Sequence, residues 1–310
     1  MKNSYFLRII FVGALLMHGG FSPKNAAAGP VEILSSIRPI HALVLAVTDG
    51  ITKPELLIEA GISAHNFNLK SSDAKKIEKS KIVFWIGPEM ERSLAKPIST
   101  IGANANVITL MNEPSISFIP YTTNDDDDVH DHAGKNDPHI WLSTENAIAI
   151  VAVIENTLMQ ADPANSAAYA KNAKVAINRI KTLKRQMEKF LQPVKEIPFV
   201  VQHDGFAYLV REFGLNQIGN ITNVRGSDAG AKHISELKKI IIDKRAKCIF
   251  TEPQMASQLA KSISLDSGVK LDELDAMGIE IEESPTLYVR IMQKNARALL
   301  NCLGSGTKTG

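Results

Sequence analysis

The chain has 310 residues, room for two domains of ordinary size, and its 45% hydrophobic and 22% charged residues are the balance of a soluble globular protein with real cores. The formal net charge is +2, and without Lys2, Arg8 and Lys24, which lie in the first 28 residues with no acid among them, it becomes −1. A nearly neutral chain lacks the electrostatic footprint of a nucleic-acid binder, and 6% aromatic residues argue, more weakly, against a surface that stacks sugars or bases.

The first element is a processing signal. Lys2 and Arg8 precede the apolar run Ile9 to Met17, Gly19-Gly20 break it, and Ala26-Ala27-Ala28 offers small residues for cleavage near Ala28. The run is too short for a stable membrane anchor, no cysteine lies near the cut for lipid attachment, and no later stretch is long enough to span a bilayer. The expected product is exported, soluble and not inserted in the membrane. In that oxidising setting Cys248 and Cys302 read first as a disulfide, whose 54-residue separation corresponds to roughly 4 kcal/mol of loop entropy. The competing thiolate metal site lacks any CxxC or CxxH spacing.

After residue 28, short β-rich runs alternate with helical ones. Strands are expected at Val31–Ser36, Glu55–Ile58, Ile82–Ile86 and Val107–Leu110, and helices at His41–Asp49, Asp73–Lys79 and Glu89–Thr100. An acidic insert follows at 124–137, too polar to pack and expected as a mobile surface loop. Ser143 is a suitable N-cap for a helix over Thr144–Gln160. Pro163 to Leu191 then shows one apolar stripe, Tyr169, Ala173, Ala176/Ile177, Ile180, Leu183, Met187 and Phe190/Leu191, on a charged rod of about 40 Å. Such a rod suits a coiled-coil dimer surface or, the reading preferred here, a stiff connector along both domains.

The alternation then restarts, with strands at Phe199–Val201, Leu215–Ile218, Cys248–Thr251 and Val269–Leu274 and helices at Asp204–Phe213, Ile234–Lys244, Gln254–Asp266 and Pro285–Leu303. The expected architecture is α/β: two parallel-sheet domains, 29–162 and 193–310, joined by one long helix over 163–192, with the ligand site in the cleft between them.

Of eight histidines, His65, His139 and His203 stand at or just after β-type runs, two from the first domain and one from the second. Three imidazoles gathered in a cleft suit Zn(II), at about 2.0–2.1 Å per Zn–N bond. Asp275, just past the last strand, is the candidate fourth ligand, with water as the other possibility. From spacing alone, three unrelated histidines is the simpler reading. His41 and His233 have no local partner and default to solvated or capping roles.

Five stretches change that balance: Ser36-Ile37-Arg38-Pro39-Ile40-His41, Trp85-Ile86-Gly87-Pro88-Glu89-Met90-Glu91, Asp137-Pro138-His139-Ile140-Trp141-Leu142-Ser143, Gln202-His203-Asp204-Gly205-Phe206 and Ile249-Phe250-Thr251-Glu252-Pro253-Gln254. In this order they resemble the periplasmic zinc-binding proteins of ABC importers, the ZnuA type, over essentially the whole mature chain. The resemblance implies capture of Zn(II) by His65, His139 and His203, a Cys248–Cys302 disulfide, no enzymatic activity, and delivery by a monomer to a membrane permease with its cytoplasmic ATPase. Manganese- and iron-preferring relatives carry a carboxylate where His203 stands, so the third imidazole argues for zinc. Two departures matter: Ala64 replaces the Pro or Glu often found before the first histidine, and Asn66 replaces a common Asp. They leave the fourth ligand open between Asp275 and water.

In that context Asp125, Asp126, Asp127, Asp128, His130, Asp131 and His132 read as a loose, weaker zinc-collecting loop, slightly ahead of a purely solvated acidic run. The competing functions are an exported tri-histidine zinc hydrolase, a manganese or iron importer component, and an adhesin. The hydrolase is disfavoured because the chain has no HExxH helix pair and no evident general base beside the histidines.

Overall fold

The computed structural model describes residue 1 and residues 31–120, 136–223 and 230–304. The segment expected as an export signal, from residue 2 on, and the acidic residues Asp125 to His132 lie outside the described residues. Among the described residues, no helix is long and apolar enough to cross a membrane.

The first half runs β1 (Ile33–Ser35), α1 (Arg38–Thr48), β2 (Glu55–Leu56), α2 (Ser71–Lys79), β3 (Ile82–Trp85), α3 (Ala95–Thr100) and β4 (Asn106–Thr109). Then come α4 (Thr144–Ala161) and the 26-residue α5 (Ser166–Leu191). The second half is β5 (Phe199–His203), α6 (Ala207–Phe213), β6 (Gln217–Thr222), α7 (Ala231–Asp243), β7 (Cys248–Thr251), α8 (Gln258–Ser267), β8 (Lys270–Glu273) and α9 (Leu287–Leu303).

All strands pair in parallel, in two sheets of order β2-β1-β3-β4 and β6-β5-β7-β8. The inner strands β1, β3 and β5 are buried along their whole length, which is why they read as continuous apolar runs without alternation. Both sheets share one topology although the halves show no sequence repetition. In each, the chain leaves its first strand to one side and returns on the other. The switch points therefore lie beyond the carboxyl ends of β1/β3 and β5/β7, where open α/β sheets bind ligands.

Helix α5 buries Tyr169, Ala173, Ala176, Ile180, Leu183, Met187 and Leu191, the stripe expected from its period, and packs on α1, α4 and α9. Phe190, read as part of the stripe, is exposed. Cys248 at the start of β7 is bonded to Cys302 near the end of α9.

Three of the helices that start later than the sequence suggests leave residues free to serve a strand end. Glu89–Thr100 is not one helix; only Arg92–Leu94 (3-10) and α3 are helical. The Glu91 carboxylate accepts from Gly87 N (3.0 Å), Ile86 N (3.4 Å) and Ser36 Oγ, which folds 87–91 into a turn over the first switch point. Asp204–Phe206 precede α6 as a tight turn, with Gly205 N donating to His203 O at 2.8 Å. Gln254–Ser257 precede α8 in the same way.

Two buried titratable groups give opposing pH dependences. Burial pushes Glu91 from its ordinary 4.5 up to about 7, against the hydrogen bonds from Ser36, Gly87 and Ile86. His41 is lowered from 6.5 to about 4, first by burial and then by the Arg38 and Lys53 charges. Between the two ordinary values the folded state holds a proton on Glu91 that the unfolded state lacks, so stability falls with rising pH. Over nearly the same range the unfolded state holds a proton on His41 that the folded state lacks, so stability rises. Each slope is about 1.4 kcal/mol per pH unit, and they cancel. Glu91→Gln should therefore gain stability relative to wild type as pH rises, and His41→Gln should lose it. Denaturant titrations at two pH values within this window check both; parallel behaviour of wild type and variants would show that neither group titrates as described.

The two halves are joined by more than α5. Trp141 Nε1 donates to Ala276 O (3.0 Å), Tyr288 Oη to Trp141 O (2.8 Å), Tyr208 Oη to Asp137 O (2.8 Å) and Arg38 Nε to Gly278 O (2.9 Å). The segment 137–142 precedes α4 in the chain, yet it is bonded to the second half at both ends.

Candidate metal centre

His203 is the last residue of β5, at the second switch point. His139 stands just before the short 3-10 turn Ile140–Leu142 that leads into α4, which is capped by Ser143 Oγ accepting from Asn146 N. His65 lies in the irregular segment between β2 and α2. The fold brings the three together. Ring centroids are 4.8 Å apart for His139 and His203, 5.4 Å for His65 and His139, and 5.5 Å for His65 and His203. One nitrogen from each falls within 4.8 Å of the others. His139 and His203 are buried, while His65 is half-buried. Zn–N bonds of about 2.0–2.1 Å would draw the nitrogens to about 3.3 Å apart, a closure that small side-chain movements supply.

Two of the rings are oriented from behind. His139 Nδ1 lies 2.7 Å from Asp137 Oδ1, which also accepts His139 N at 2.8 Å. His203 Nδ1 lies 3.0 Å from Glu252 Oε1. A carboxylate only accepts, so each Nδ1 carries the proton and each Nε2 keeps its lone pair for a metal. Nearby, burial and the Asp137 charge raise Asp204, against the hydrogen bond from Gln217.

Asp137 and Glu252 were not singled out as functional residues in the sequence reading. Glu252 follows β7, the strand beside β5, so parallel order was its signal; Asp137 was marked by its position two residues before His139.

Asp275 is not brought into the group, and its reading as a ligand is corrected here. Its carboxylate curls back on its own turn, with Oδ1 accepting from Met277 N (3.1 Å) and Gly278 N (2.7 Å) and Oδ2 from Ile279 N (2.9 Å) and Lys294 Nζ (3.0 Å). The residue is fully buried, and Asn295 holds both its N–H and its carbonyl. A carboxylate with four donors is committed to shaping the 275–279 turn, whose Ala276 and Met277 line the cleft.

Gly205 has no room for a side chain. A Cβ there would lie 2.5 Å from His203 Cε1 and 3.1 Å from His139 Nε2. Gly205→Ala should push the His203 ring off its carboxylate, weaken metal binding by about 10- to 100-fold, the range for disturbed outer-shell contacts, and cost about 1–3 kcal/mol of stability. Unchanged affinity in a competition titration would show that the ring has slack.

Two parallel-sheet halves, facing carboxyl strand ends and three converging imidazoles define a cleft-type binding protein for a single ion of transition-metal size. Comparison with known proteins agrees. The profile of the family described as zinc-uptake complex component A, periplasmic (ZnuA), matches residues 33–302, and the chain belongs to that family. It is 31% identical to the high-affinity zinc uptake system protein ZnuA of Brucella abortus, over 98% of this chain and 99% of that protein. Its fold is shared with a ZnuA crystal structure (TM-score 0.74, 21% identity, 87% of this chain and 99% of that one). It is shared also with the periplasmic zinc-binding protein TroA of Treponema pallidum (TM-score 0.79, 17% identity, 89% and 99%).

Proposed function

We propose that the chain is the periplasmic solute-binding component of a zinc importer. It takes up one Zn(II) between its two halves through His65, His139 and His203 and delivers it, as a monomer, to a membrane permease driven by a cytoplasmic ATPase. The observation that carries this reading is the set of three converging imidazoles, two of them oriented by buried carboxylates, in a member of the zinc-uptake family. Imidazole suits Zn(II), whereas a site built for manganese would offer more oxygen. Export follows cleavage near Ala28, and the acidic run from Asp125 to His132 serves as a weaker collecting loop.

The test is metal analysis of protein purified from the periplasm without chelator, followed by competition titration. One tight Zn(II) per chain is expected, with affinity falling in acid because the imidazoles bind only when deprotonated. Deleting 124–135 should lower the metal bound in excess zinc and leave the tight site nearly unchanged. Retention of the tight site after His139→Ala would overturn the ligand set, and loss of it on deleting the loop would move the site there.

A further inference from the structure

Helices α5 and α9, which pack side by side, hold ten Lys and Arg residues and one acid, Glu188, in a chain whose formal net charge is +2. Two of the ten are in ion pairs, Lys184 with Glu145 and Glu212 and Lys294 with Glu273 and Asp275. The other eight are exposed and have no carboxylate at ion-pair distance among the described residues. On α5 they crowd one another. Lys181, Arg185 and Lys189 stand at successive i, i+4 positions, where like charges destabilise a helix. The same face has an apolar part. Val175, Arg179, Thr182, Gln186 and Phe190 recur at steps of three and four and make one line along α5 beside α9. Val175 is 40% exposed and Phe190 41%. Between Phe190 and α9 lies a groove of about 540 Å³, with Leu183, Met187, Ala296 and Leu300 in its wall and the exposed cations Lys189 and Arg297 beside them.

An occupant that suits this face is anionic and apolar at once. A soluble polyanion would use the cations and leave the groove and Phe190 in water. A second copy of the face would set cation against cation. A bilayer with anionic headgroups offers both parts: phosphates that relieve the repulsion along α5 and, beneath them, an apolar layer for an aromatic ring. We propose that the α5/α9 face is a peripheral docking surface for anionic phospholipid, with Lys189 and Arg297 on headgroup phosphates and Phe190 at the boundary between headgroups and acyl chains. The surface does not depend on which residues hold the metal. It keeps the carrier proposed above close to the bilayer that contains its permease.

The experiment is co-sedimentation of the full mature chain with vesicles, at physiological ionic strength. One set is phosphatidylcholine alone and the other phosphatidylcholine mixed equally with phosphatidylglycerol. Binding to the mixed vesicles only is expected, and it should weaken as salt is raised. Lys189→Glu/Arg297→Glu should bind about 25-fold more weakly or worse, since each cation near an anionic surface contributes about fivefold. Phe190→Ser, with every charge kept, should lose severalfold. Lys75→Glu/Lys261→Glu makes the same change of net charge on exposed residues of α2 and α8 and should bind nearly as wild type. Phe190→Trp keeps every cation and reports insertion directly. Its emission should shift to the blue on the mixed vesicles alone, against the two buried tryptophans Trp85 and Trp141. Failure to bind the mixed vesicles, equal binding to both kinds, or equal loss in the two double variants would overturn the inference. So would a loss confined to the charge variants with no effect at Phe190, the mark of a soluble acidic partner.

Discussion

His203→Ala should lower zinc affinity by roughly a hundredfold to a thousandfold. Four-coordinate structural zinc sites in small peptides release on the order of 10–16 kcal/mol on binding, and on that scale one of four positions accounts for about 3–4 kcal/mol. Stability should fall as well, because Glu252 Oε1, now accepting from His203 Nδ1 in a buried setting, is left without that donor. His203→Glu should weaken zinc still more relative to manganese. It exchanges a borderline nitrogen for a hard oxygen and sets a second carboxylate against Glu252. Competition titrations of both variants against the two metals check this. Zinc bound as tightly by His203→Glu as by wild type would mean that His203 is not a ligand.

Asp275→Ala should be the most damaging change to stability, at about 3–5 kcal/mol, while costing less zinc affinity than loss of His203. The substitution strips the partner from three backbone N–H groups and from Lys294, at a residue with no solvent exposure. For a chain of this size that is a fall in Tm of about 5–8 °C. Zinc affinity should fall only through the turn, because Ala276 O holds the Trp141 indole beside His139. Asp275→Asn, which keeps an acceptor but not the charge on Lys294, should lie between. Thermal unfolding and zinc titration of the same samples separate the two roles. Loss of the tight site at unchanged Tm would return Asp275 to the ligand set.

What the chain specifies locally was legible without a structure. The stripe of α5 follows from a period of three and four that any helix of that sequence must present, and Ser143 caps α4 because its hydroxyl reaches a backbone N–H only three residues on. The apolar runs of β1, β3 and β5 marked buried parallel strands, whereas the three histidines were singled out by the family resemblance, their spacing alone favouring unrelated roles. What depended on distant partners was not legible. Position after a strand does not say whether a carboxylate enters the cleft or turns back on its own backbone, and for Asp275 the answer lies with the 277–279 amides, Lys294 and Asn295. Glu252 orients His203 across 49 residues of chain, and Gly205 is needed because two histidines from opposite halves converge on its Cα. Hydrophobic period and capping are set by neighbours in the chain, so the sequence by itself determined the elements, and its resemblance to a family named the imidazoles. The orientation of polar side chains is set by whichever donor or acceptor the folded chain brings within 3 Å or so, and only the tertiary structure decided which carboxylates serve the site and which serve the fold.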